Sequence, residues 1–206
     1  MNTTETEPGT LSRSDRVGMY MNIGLGAIAI GITIWQVIVR VIEVLPGRDI
    51  PVAVPLFDQT ASLPIGPDGA LIDVAVDHAT IVVPDPAAAT LFALFAHPIV
   101  SGLAIVAAIA LLCMFCWRLA RGRAFERSTT RIVMATLGVV AVGWLSTSIL
   151  WQMSVNGALA AVSDRTYQTD SATFEILPVL GILGLGVVAL ALQMGERLKR
   201  DTEGLV

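Results

Sequence analysis

The chain has 206 residues, 54% of them hydrophobic and 15% charged, with a mean hydropathy of +0.73 and a formal net charge of −4. This usage lies outside that of ordinary soluble domains, and the length leaves room for one membrane bundle with a small appended lobe but not for a separate soluble catalytic domain. Twelve Arg stand against one Lys amid abundant Ala, Val and Gly, a composition that suggests a GC-rich bacterial genome.

Residues 1–16 are polar and rich in Thr, Glu and Ser, and read as a disordered cytoplasmic tail. Residues 17–42 form the first of four apolar runs; the others are 91–120, 132–155 and 174–194. Each reaches or exceeds the ~20 helical residues needed to cross a ~30 Å hydrocarbon core. The expected fold is all-α: a membrane bundle of four transmembrane helices over 17–206, with a small β-rich extracytoplasmic cap inserted at 43–89, between helices 1 and 2. No small-residue cleavage site follows a short apolar core, so the first run reads as a retained anchor. Ten of the thirteen Lys and Arg flank the runs on one side, and only Arg40, Arg48 and Arg165 lie on the other. This bias predicts cytoplasmic N- and C-termini in a bacterial cell membrane.

Within 43–89, residues 50–57 and 70–83 are rich in β-branched side chains, and Pro67-Asp68-Gly69 marks a turn between them. In the second run Ile72, Val74 and Val76 alternate with Asp73, Ala75 and Asp77. A lone two-stranded hairpin is marginal in water, so it needs a platform, which residues 156–173 and the outer helix ends are placed to provide. Pro84, Pro86 and Pro98 shape the return into the second helix. The segment carries seven acidic residues, among them Asp73 and Asp77 on one strand face, against Arg48. The face is a solvated acidic surface or a docking surface.

Small residues mark places for close helix approach: Ala27 and Gly31 in the first run, Ser101, Ala104 and Ala108 in the second, and Gly181, Gly184 and Gly186 in the fourth. Trp35, Trp117 and Trp151 lie near run ends as interfacial anchors, whereas Trp144 lies deeper. Cys113 and Cys116 share a helix face near the cytoplasmic end of the second run, in a reducing environment, and read as inert buried thiols. His97 reads as a hydrogen-bonded interfacial residue and His78 as part of a strand, so no bis-histidyl haem pair forms. Asn22, Gln36, Gln152 and Gln193 are the polar span residues and read as interhelical hydrogen-bonding groups; Arg40 pairs with Glu43 or Glu175 at the outer rim. No cofactor or metal is expected.

The connection between the second and third runs carries five Arg against Glu126, and should lie on anionic lipid headgroups at ~1 kcal/mol per nearby cation, without direct nucleic-acid binding. Its Gly122-Arg123-Ala124-Phe125, followed by Thr129, Arg131 and Gly138, resembles the bacterial membrane family catalogued as domain of unknown function 2975. The terminal Gly195-Glu196-Arg197-Leu198, with Asp201, Gly204, Leu205 and Val206, is similar to that family's closing motif. Thr129 stands where the family commonly has Asn. The resemblance implies the four-helix topology and frequent genetic association with small helix-turn-helix regulators; it implies no reaction. In this setting Gly122 permits a tight bend, Phe125 re-enters the interface, and Leu198 and Leu205 pack back on the loop, as a structural staple or as a docking platform for a cytoplasmic partner.

The sequence thus reads as a non-enzymatic integral membrane protein acting as an interaction, sensory or regulatory component, with a membrane-protein partner or a second copy of itself. A small transporter or channel subunit is the alternative, and a membrane redox enzyme using Cys113 and Cys116 is a more distant one.

Overall fold

The structure is a computed structural model that describes residues 13–122, 126–163, 166 and 176–203. In chain order it contains α1 (Arg13–Val44), β1 (Ile50–Leu63), a 3-10 turn (Pro67–Gly69), β2 (Ile72–Val83), α2 (Ala88–Ala120), α3 (Arg127–Val162) and α4 (Ile176–Glu203). All four helices are long and apolar enough to cross a membrane. α1, α2 and α3 have 32, 33 and 36 residues, so at ~1.5 Å per residue each outruns a ~30 Å hydrocarbon core. The surplus supplies helix ends for other uses.

The chain divides into two compact units. The first comprises Met1–Ile38, Val100–Ser146 and Phe174–Val206. Its helices touch at glycines: a methyl added at Gly26 would come within 3.0 Å of Cys113 Sγ, and one added at Gly102 would strike Val37. At Gly143 it would stand 2.5 Å from Cβ of Ala104. The expectation for Ala104 is met by this contact. Those for Gly31, Gly181, Gly184 and Gly186 are not, because nothing among the described residues stands within 4 Å of a methyl built at any of them. Small-residue spacing shows where a helix is thin, and the facing helix decides whether the thin place is used.

The second unit, the lobe, comprises Val39–Ile99 and Thr147–Thr173. β1 and β2 pair antiparallel from Ile50↔Val83 to Leu63↔Ile72. Alternate β1 residues Ile50, Val52 and Val54 are buried together with Val83, as the two-residue period of a one-sided strand requires. They pack on Val44 from the end of α1, Leu94 from the start of α2, and Val155, Ala158 and Leu159 from the end of α3. Three helix ends are therefore the platform that a lone hairpin lacks. Arg40 ties the layers together, pairing with Glu43 and donating from Nη2 to the Pro51 carbonyl at 2.9 Å.

Several boundaries differ from the sequence expectation, and α1 already begins at Arg13, inside the expected tail. α3 continues to Val162, past the expected end at 155 and through Asn156 and Gly157, because Ala158 and Leu159 are core residues under the sheet. Pro98 lies inside α2 and not in the return before it. β1 extends to Leu63 and β2 begins at Ile72, with a register shift between Pro55 and Gln59 that sets residues 56–58 against Asp77. The turn falls as expected, with Asp68 and Gly69 at φ of 59° and 77°. The expected tail lies largely outside the described residues.

Candidate functional site

Beyond the register shift the hairpin becomes an arm. No residue from 59 to 75 is buried, although β1 and β2 remain paired there. Both Asp73 and Asp77 are exposed and alternate with the half-buried Val74 and Val76. Asp73 accepts a hydrogen bond from Ser62 Oγ, its cross-strand partner. Asp77 stands across from residues 56–58 of β1, two more than its own strand supplies there. The acidic face expected from the alternation is thus real, and it is solvated.

The sequence reading missed what sits at the arm's end. Leu63, Ile65, Leu71 and Ile72 surround the turn and are 42%, 63%, 71% and 43% exposed. Four large apolar side chains clustered on a small protruding element form a patch of the kind that is normally covered. The signal was present, since Ile65 and Leu71 flank the Pro-Asp-Gly turn where polar residues are usual. Read alone, they resemble ordinary strand residues.

The second candidate cluster lies in the first unit, at the α2–α3 connection. Gly122 closes α2 in the left-handed region, at φ of 74°, with its N–H donating to the Leu119 carbonyl at 2.8 Å. A methyl there would meet nothing within 4 Å, so this position is set by backbone conformation and not by space. Arg118 donates to Ser128 Oγ and stands 3.7 Å from Glu126, while Arg121 lies over the Trp117 ring at 3.9 Å. Glu196, from the terminal motif, accepts from Arg127 Nε at 3.2 Å and from Thr130 Oγ1 at 3.4 Å. A polar contact therefore joins Glu196 of the terminal motif to the first turn of α3. Leu198, expected to pack back on the loop, is 66% exposed. Phe125 and Leu205 lie outside the described residues.

Among the described residues the remaining chemical groups are not brought into a common centre. Cys113 and Cys116 are free thiols, and Cys113 fills the space left open by Gly26. His97 packs against Trp151 in the lobe, with ring centroids 5.6 Å apart. No family model, curated protein or solved structure matches the chain.

Proposed function

We propose that this is a non-enzymatic multipass protein of the bacterial plasma membrane, an interaction or sensory component that engages a protein partner through the hairpin arm on the outer side. The arm carries this reading. A two-stranded element without a platform is marginal in water, and 59–75 has no buried residue to support it. Its apolar tip and the flanking Asp68, Asp73 and Asp77 fit a partner surface with an apolar depression inside a basic rim. With the arm docked, the four tip side chains leave water and the pairing gains a third layer.

The ten-to-three distribution of Lys and Arg supports cytoplasmic termini. In that orientation Arg121 and Arg131 are on the side of anionic cytoplasmic headgroups, while Arg118 and Arg127 pair with Glu126 and Glu196. The proposed kinship with the family of unknown function 2975 rests on the two motifs; Glu196 of the terminal motif bonds to Arg127 and Thr130, neighbours of the first motif's Thr129 and Arg131.

Orientation is checked in a Cys113→Ser, Cys116→Ser background with a membrane-impermeant maleimide on whole cells. Asp68→Cys should label and Arg121→Cys should not; the reverse pattern overturns the topology. Docking is checked with a photoreactive side chain at position 65 in native membranes. A discrete crosslinked product should form, and Leu71→Ser with Ile72→Ser should reduce it at least fivefold at unchanged expression. Asp73→Asn with Asp77→Asn should reduce it at low salt and less at high salt. Equal crosslinking in all variants would overturn docking through the arm.

A further inference from the structure

The lobe contains an open cavity of about 600 Å³, within the ~300–1,000 Å³ range of small-molecule sites. Its walls come from three elements at the root of the arm: Leu56 and Gln59 from β1, Val76 and Ile81 from β2, and Leu159 and Val162 from α3. The break between Pro55 and Gln59 lies in this wall, and irregularities of this kind concentrate where a strand shapes a site.

The lining selects the occupant's chemistry. Among the described residues no ionisable side chain contributes to it. The two hydroxyls just past α3 are turned to the backbone: Ser163 Oγ donates to the Leu159 carbonyl at 2.8 Å, and Thr166 Oγ1 donates to the Ser163 carbonyl. A charged ligand would lose hydration there and find few side chains to replace it, Gln59 and Thr60 on β1 being the available ones. An alkyl chain would lose nothing.

Position along α3 selects the source. Leu159 and Val162 lie four and seven residues past 155, where the apolar run ends. At ~1.5 Å per residue this is about 6 to 10 Å past the end of that run; with the hydrocarbon edge at the run's end, and in the orientation proposed above on which this step rests, it is the outer limit of a headgroup layer on the order of 5–8 Å thick. A chain lifted from the outer leaflet reaches that level while its head stays in water.

We propose that this cavity binds a single alkyl chain of a membrane amphiphile, independently of any protein docked on the arm. The occupant touches both strands at the arm's root and the last turns of α3.

The test uses the full chain in phosphatidylcholine nanodiscs, with Gln59→Cys carrying an environment-sensitive fluorophore in the Cys113→Ser, Cys116→Ser background. The probe ligand is lysophosphatidylcholine with a sixteen-carbon chain. A saturable blue shift is expected, with half-saturation at least tenfold lower than for the six-carbon homologue. Val162 is 54% exposed, so Val162→Glu keeps the fold and should raise half-saturation tenfold or more. Ala79→Phe, which fills the cavity, should abolish the shift. A response that is linear in lysolipid and identical in Val162→Glu means partition into the bilayer only and overturns the proposal. A blue shift that follows protein concentration without lysolipid assigns the cavity to a second copy of the chain and overturns it equally.

Discussion

Ile50→Ala should cost the lobe about 2–5 kcal/mol, the usual loss when a buried Ile is truncated in a core that cannot collapse. Ile50 is 0% exposed and is the first residue of β1, clamped between Val83 across the strand pair and the helix-end residues Val44, Leu94 and Val155. These helix residues are fixed by the helices they belong to, so they have little freedom to close over the void. Amide exchange across β1 and β2 should accelerate roughly 25-fold or more, the equivalent of ~2 kcal/mol at 1.4 kcal/mol per tenfold. The control is Ile65→Ala, the same chemical change at a residue 63% exposed, which should alter exchange by less than about 0.5 kcal/mol. Equal acceleration in both variants would mean that the hairpin is held by its own pairing and not by the platform.

The contrast between Ile50 and Ile65 also shows how far the sequence could be read. Strand alternation, a Pro-Asp-Gly turn and four long apolar runs are local signals, and each specified its element. The need for a platform was legible as well, because two strands cannot bury a face by themselves. Which residues would form that platform was not legible. Asn156 and Gly157 look like a helix end, and local propensity would stop α3 there; burial of Ala158 and Leu159 under the sheet outweighs a propensity difference of ~1 kcal/mol. The register shift was invisible for a similar reason. Pro55, Leu56, Phe57 and Asp58 suit either continued pairing or a bulge, and only the partner strand decides between them.

The candidate residues divide along the same line. Asp73 and Asp77 lie on the face that a two-residue period assigns them, so strand geometry alone located them. Gly122 was found because left-handed backbone calls for glycine. The partners of Glu196 could not be found, since Arg127 and Thr130 are 69 and 66 residues away in sequence and no local pattern links them. Leu198 is 66% exposed, two residues after Glu196, the residue of this stretch that bonds to Arg127 and Thr130.

Glycine contacts depend wholly on what lies opposite, and they give the second large effect. Gly157→Ala should lower stability by about 1–2 kcal/mol, whereas Gly184→Ala should leave it unchanged or raise it by up to about 1 kcal/mol. In an open helix position, alanine gains because glycine loses more backbone freedom on folding. Gly184 is such a position. At Gly157 the added methyl would stand 2.7 Å from Cγ2 and 2.8 Å from Cβ of Thr90. Rotation about χ1 can move Cγ2, but it cannot move Cβ, and Thr90 is only 6% exposed. Relief therefore requires α2 and α3 to separate inside the lobe. The overpacking cost of about 1–3 kcal/mol then exceeds the helical gain of roughly 0.5–1 kcal/mol. Thr90→Ala leaves Cβ in place and should rescue Gly157→Ala only in part, while Thr90→Gly should rescue it further. Thermal unfolding of each variant in mild detergent reads the series directly. Similar losses at Gly157 and Gly184 would show that both glycines face close neighbours and that the α2–α3 contact in the lobe is not the one described.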